Sequence, residues 1–128
     1  MRKVAVWLDD YRDPFGPFTY SLHHHALEAC DVDEIIWALD IDAFQKVVLE
    51  VLDEQGEGGR QLCGLFFDND LGDVAGREGH NAFNWFEELC HERDVPPVFL
   101  YSQSSNLSAK KGMEQGFSAL RAYWESSR

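Results

Sequence analysis

Short apolar runs alternate along this chain with longer stretches whose apolar residues recur at helical spacing. Lys3 to Leu8, Glu34 to Leu39, Leu62 to Phe67 and Val98 to Tyr101 read as buried strands, the last introduced by Pro96 and Pro97. Asp40 stands where a helix N-cap is expected. The stripe Ile41, Phe44, Val47, Val48, Val51 and Leu52 follows it at 3.6-residue spacing and stops at Gly56. A second helix is predicted from about Asn81 to His91, turning Ala82, Phe83, Phe86, Leu89 and Cys90 inward. A third runs from about Ser108 to Glu125 and buries Met113, Phe117, Leu120 and Trp124. Pro14, Gly16 and Pro17 break up the stretch from Asp10 to Asp33, which is expected to be a loop, and the glycines between Gln55 and Gln61 suggest a mobile surface loop.

The predicted order is strand, loop, strand, helix, strand, helix, strand, helix. Strands that alternate with amphipathic helices belong to a parallel sheet with right-handed crossovers, here expected in the order 2-1-3-4. At 128 residues the chain has the length of one domain spanning 1–128, and 45% hydrophobic residues are enough for a core without disulfides or a structural metal. Cys30, Cys63 and Cys90 are odd in number and far apart, without the C-x-x-C spacing of zinc or redox sites, so they read as buried thiols. The apolar stretch from Val4 to Leu8 is too short for a signal h-region and no run is long enough for a membrane span, so a cytoplasmic protein is expected. A net charge of -12 argues against general nucleic-acid binding, which depends on Lys and Arg neutralising phosphates. It leaves room for a small anionic ligand where cations concentrate, or for docking on a basic partner.

Chemistry is expected where the strands end, because ligands of open α/β sheets bind outside the carboxyl ends of the strands. The first strand ends in Asp9, Asp10 and Arg12, the third in Asp68, Asn69 and Asp70, and the fourth in Ser102, Gln103, Ser104 and Asn106. Carboxylates gathered at one end of a sheet repel one another. A hard cation with oxygen ligands, Mg2+ or Mn2+, relieves this, with Asp9, Asp10 and Asp68 as its ligands. Strand alternation would put Asp68 and Asp70 on one side and Asn69 on the other. Lys110 and Lys111 fall in the first turn of the last helix, where the helix dipole disfavours cations; an anion held there by backbone N–H groups, the serine hydroxyls and a lysine would explain the placement. His80 is the better single candidate for proton transfer. His23, His24 and His25 cannot easily face one ion and read as an exposed or partly packed loop; the alternative is that this loop covers the site and gives a general acid or base.

These motifs resemble the cyclic-phosphate processing receiver-like domain family, a branch of the receiver (CheY-like, flavodoxin-like) fold. Trp7-Leu8-Asp9-Asp10-Tyr11-Arg12-Asp13-Pro14 is similar to the family's L-D-D-x-R opening, and Asp68-Asn69-Asp70-Leu71-Gly72 to its D-H-D-L-G. Ser104-Ser105-Asn106, with Lys110 and Met113, is similar to H-S-x-N-P-x-G-R-x-x-M. The resemblance implies a three-layer α/β sandwich and a role in binding or processing a cyclic phosphate on a nucleotide or RNA end. Carried over, Asp9, Asp10, Arg12, Asp68, Asp70, Ser104, Asn106 and Lys110 match. Asn69 and Gln103 replace histidines, Lys110 replaces an arginine, and Leu107 and Ala109 replace a proline and a glycine. Asp68 and Ser102 resemble the phosphoacceptor and hydroxyl residues of a response-regulator receiver, but no fifth strand ending in lysine follows Tyr101.

The expected activity is metal-dependent binding and hydrolysis of a cyclic phosphate or phosphate ester. Asp68, Asp70 and His80 are the candidate catalytic residues, and Arg12, Asn69, Ser102, Ser104, Asn106 and Lys110 the candidate phosphate contacts. The alternatives are a noncatalytic phospholigand-binding or phosphoacceptor module, favoured by the missing histidines, and an acidic inhibitor of a nucleic-acid-binding partner.

Overall fold

The computed structural model describes residues 1–127, with side chains for all of these except residues 17–22. Its elements follow one another as β1 (Lys3–Leu8), α1 (Pro17–Cys30), β2 (Glu34–Ala38), α2 (Ile41–Gly56), β3 (Gln61–Phe67), α3 (Gly79–Glu92), β4 (Phe99–Ser102) and α4 (Leu107–Ser127). The four strands form one parallel sheet in the order β2-β1-β3-β4, which is the expected receiver-like α/β architecture.

Two apolar layers flank the sheet because strand side chains alternate. Val4, Val6, Leu8, Leu65, Phe67 and Leu100 face α2, α3 and α4, whose inward residues include Phe44, Val48, Phe86, Phe117 and Trp124. Ala5, Trp7 and Phe66 face the other way, against Ala26, Leu27 and Cys30 of α1. Asp40 caps α2, its Oδ1 accepting the Ala43 N–H at 2.7 Å. Pairing between β1 and β3 skips Cys63, so that Val4 lies opposite Leu62 and Ala5 opposite Gly64. A Cβ on Gly64 would run into Cys30 Sγ, which ties that glycine to the seating of α1.

The segment expected to be a loop between β1 and β2 is helical over its second half. Gly16 is the N-cap of α1 and Pro17 its first residue, a position where proline's fixed φ is pre-organised and its missing N–H costs nothing. The residues read as helix breakers therefore mark a helix start. His23, His24 and His25 lie on that helix and not in a lid. No helix among the described residues is long and apolar enough to cross a membrane.

Candidate functional site

Hydrogen bonds of the ladder continue one residue beyond the strands. Asp9 N–H donates to Ala38 O at 3.1 Å, Asp68 N–H to Leu8 O at 2.9 Å, and Gln103 N–H to Phe67 O at 3.1 Å. The first polar residue after each of β1, β3 and β4 is thereby fixed in one row at the carboxyl end of the sheet.

At the end of β1 the fully buried Asp9 carboxylate organises its own loop, Oδ1 accepting the N–H groups of Tyr11 at 2.9 Å and Arg12 at 2.8 Å. Two indoles hold the same loop by its carbonyls: Trp37 Nε1–H donates to Asp9 O at 2.7 Å and Trp7 Nε1–H to Arg12 O at 2.9 Å. The Arg12 guanidinium consequently lies across the acidic cluster, 3.2 Å from Asp9 Oδ2 and 3.5 Å from Asp68 Oδ1.

At the end of β3, Asp68 is 5% exposed and its Oδ1 accepts the Asn69 N–H at 2.9 Å. Its pKa is raised from 3.8 to about 6, first by burial and then by the charge of Asp9, with Arg12 pulling the other way. Asn69 turns inward and is 2% exposed. Its amide nitrogen donates to Asp70 Oδ1 and Glu78 Oε2, both at 3.2 Å, while its Oδ1 accepts the His80 N–H at 3.3 Å and lies 3.2 Å from His80 Nδ1. The start of α3 sits hard on this strand end. Gly79 N–H donates to Asn69 O at 2.9 Å, and any Cβ at residue 79 would collide with the Asp68 carbonyl.

At the end of β4 the polar residues are spent largely on the turn into α4. Ser102 Oγ donates to Phe67 O at 3.0 Å and accepts the Ser104 N–H at 3.3 Å; Ser104 Oγ accepts the Asn106 N–H at 3.1 Å; Asn106 Oδ1 accepts the Ala109 N–H at 3.1 Å, which caps the helix. Gln103, 1% exposed, reaches across the sheet to donate from Nε2 to Leu8 O at 3.0 Å, leaving its buried Oε1 without a hydrogen-bond partner among the described residues. Lys110 lays Nζ over the Tyr101 ring, 5.1 Å from its centre.

Of the residues singled out from sequence, the fold brings Asp9, Asp10 and Asp68 together with one ligand atom from each within 4.8 Å of the others, and adds Arg12 to them. Asp70 is exposed and outside that cluster, and His80 is on the α3 side among Asn69 and Glu78. His23, which sequence reading placed on a loop, stands on α1 near this cluster. Its Nδ1 is 3.0 Å from the Tyr101 hydroxyl and its ring meets Trp7 edge-on at 6.1 Å. Burial, Lys110 and Arg12 lower its pKa, in that order, against the opposing charge of Asp9. The signal was present: His23, Ala26, Leu27 and Cys30 have the spacing of one helix face. His24, His25 and Glu28 form a separate group, their ligand atoms within 4.8 Å of one another. A concavity of about 660 Å3 lies at the other end of the sheet between the end of α3 and that of α4 and touches none of these residues.

A family model described as the cyclic-phosphate processing receiver domain matches residues 4–119. No curated protein and no solved structure gives a significant match.

Proposed function

Because the chain belongs to the cyclic-phosphate processing receiver domain family, we propose that it binds a cyclic phosphate on a nucleotide or RNA end with the help of a divalent cation, and hydrolyses it. The observation that carries this reading is the convergence of Asp9, Asp10 and Asp68 beside Arg12 at the carboxyl ends of β1 and β3. The donor set fits Mg2+ or Mn2+: three hard carboxylate oxygens, in a place where burial and then the charge of Asp9 already raise the pKa of Asp68. The orphaned Gln103 Oε1, on a side chain anchored one residue before Asp9, is an acceptor suited to a water of the ion's shell. A bound cation would neutralise the carboxylates and draw charge from the phosphate oxygens.

The chain's own residues do the rest. Arg12 neutralises Asp9 and Asp68 in the metal-free site; once they are satisfied, its guanidinium is the nearest cation to which a phosphate can turn. Lys110 and the start of α4 supply a second positive edge. Asn69 and Gln103 hold the floor by hydrogen bonds and carry no group that gains or loses a proton near neutral pH. That last feature favours a second reading, binding without turnover.

The test is calorimetric titration of Mg2+ or Mn2+ into wild type and Asp68→Asn, repeated with 2′,3′- and 3′,5′-cyclic nucleotides, with products followed by phosphorus NMR. Metal-dependent nucleotide binding lost in the variant supports the site, and a phosphomonoester product supports hydrolysis. Binding without product leaves the second reading, and no binding of metal or nucleotide overturns both.

A further inference from the structure

Hydrolysis of a cyclic phosphate needs a group to take the proton from the attacking water. At the site described above the amides of Asn69 and Gln103 cannot do so, and Asp9, Asp10 and Asp68 are the proposed ligands of the cation. Four histidines besides His23 remain. His24 and His25 group with Glu28, and His91 packs on Tyr123 at a ring separation of 4.1 Å, at the far end of α3. His80 is about half exposed, 3.4 Å from Glu78 and bonded to Asn69, which in turn holds Asp70, so its surroundings are acids that repel a phosphate.

We propose that His23 is the general base of the cyclic-phosphate hydrolysis, held for that task by the Tyr101 hydroxyl; the assignment rests on the phosphoesterase reading above. Three features of the geometry carry it. The imidazole is clamped between the Trp7 ring and the Tyr101 hydroxyl, so its orientation is built into the fold. In the tautomer the assignment requires, Nδ1–H donates to the Tyr101 hydroxyl oxygen and the Nε2 lone pair is left to accept a proton. And it stands on the cationic flank of the acidic cluster, where Arg12 and Lys110 would receive the phosphate: Lys110 lies over the same Tyr101 ring to which His23 is bonded.

Among the described residues, the charged and titratable groups facing it are Lys110 from α4, Arg12 and Asp9 from the end of β1, and Tyr101 from β4. Burial and the two cations hold the imidazole neutral near pH 7, the form that accepts a proton. In the step itself, water oxygen bonds to phosphorus as its proton passes to His23 Nε2. The bond from phosphorus to one ring oxygen breaks, that oxygen leaves with the electron pair and takes a proton from solvent, and His23 returns its proton to solvent. The product is a phosphomonoester.

The experiment compares wild type, His23→Gln, His23→Ala and Tyr101→Phe with adenosine 2′,3′-cyclic phosphate and Mg2+, reading binding by calorimetry, turnover by phosphorus NMR and the His23 ring by proton–nitrogen NMR. His23→Gln should bind with unchanged Kd while kcat falls about 10²- to 10⁴-fold. Wild-type kcat should rise with pH up to the His23 midpoint and then level off, and that acid limb should vanish in His23→Gln. Free imidazole should restore part of the turnover of His23→Ala. Independently of turnover, inorganic phosphate with Mg2+ should raise the NMR midpoint of His23, and Tyr101→Phe should shift it. A kcat within twofold of wild type in His23→Gln, or a midpoint that ignores phosphate, overturns the assignment while the phosphoesterase reading stands. Binding without turnover by wild type overturns it and leaves a binding module. Absence of wild-type binding, seen in the calorimeter first, removes the reading of the site and this assignment with it.

Discussion

Replacing Asp68 by Asn should make the metal-free protein more stable while destroying the site. In the folded chain Asp68 keeps its proton up to about pH 6, whereas in the unfolded chain it releases it near 3.8. Its folded pKa is raised, so its contribution is most favourable below 3.8, declines as pH rises through the interval, and reaches its full cost above about 6. The gap between 3.8 and about 6 corresponds to about 3 kcal/mol at about 1.36 kcal/mol per pKa unit. An asparagine oxygen can still accept the Asn69 N–H that now reaches Asp68 Oδ1, and it carries no charge to bury. Thermal unfolding in EDTA at pH 7.5 should therefore place Asp68→Asn above wild type by about 2–3 kcal/mol, or roughly 6–12 °C in Tm for a domain of this size. At pH 4.5 the advantage should shrink to about 1 kcal/mol, because most wild-type molecules are then protonated at this position. Added Mg2+ should raise the Tm of wild type alone. A variant less stable than wild type at pH 7.5, or an advantage independent of pH, would refute the view that burial and Asp9 strain this carboxylate.

Other perturbations test how the site is held. Cys30 and Cys90 have thiols pushed up to about 12 by burial, and Cys63 is only half-buried. Iodoacetamide at pH 8 should modify Cys63 first and the other two only at the rate of unfolding, as peptide mapping would show. Asp40→Ala removes the α2 cap bond and should cost about 1 kcal/mol in urea unfolding without changing cation affinity. Trp37→Phe should cost a similar amount by freeing the Asp9 carbonyl and should also weaken Mg2+ binding, read by calorimetry. Gly79→Ala, which in an open helix interior would add about 1 kcal/mol of stability, should instead destabilise here because its methyl meets the Asp68 carbonyl; a rise in Tm would contradict that contact.

The sheet and the three later helices were legible because each apolar run or stripe is uninterrupted and ends at an unambiguous cap or turn, as at Asp40. α1 was not, for a local reason. Gly16 and Pro17 are breakers in a helix interior but mark its start here, and three consecutive histidines blur the apolar face made by Ala26, Leu27 and Cys30. For the same reason His23 was read as part of a loop. The strand-end acids could be located from sequence, since the register of a parallel sheet brings the ends of β1 and β3 side by side. How side chains divide there could not. Asn69 turns into the protein and Asp70 out, the reverse of simple alternation, because the backbone leaves the strand at Asp68 and Asn69 finds partners in Glu78 and His80. Likewise Ser102, Ser104 and Asn106 have the composition of a phosphate loop, yet each has a partner in the turn that starts α4.

The Leu8 carbonyl accepts both the Asp68 N–H and the Gln103 amide, so one oxygen joins the ends of three strands. Those ends cannot shift separately without stranding a buried donor. Thermodynamically, the rearrangement demanded of the backbone when a ligand arrives is small, and ordering entropy is confined to a few side chains such as Arg12 and Lys110. Ligand capture should therefore resemble a lock with two moving pins: fast, enthalpy-led and with little change in amide protection along β1, β3 and β4.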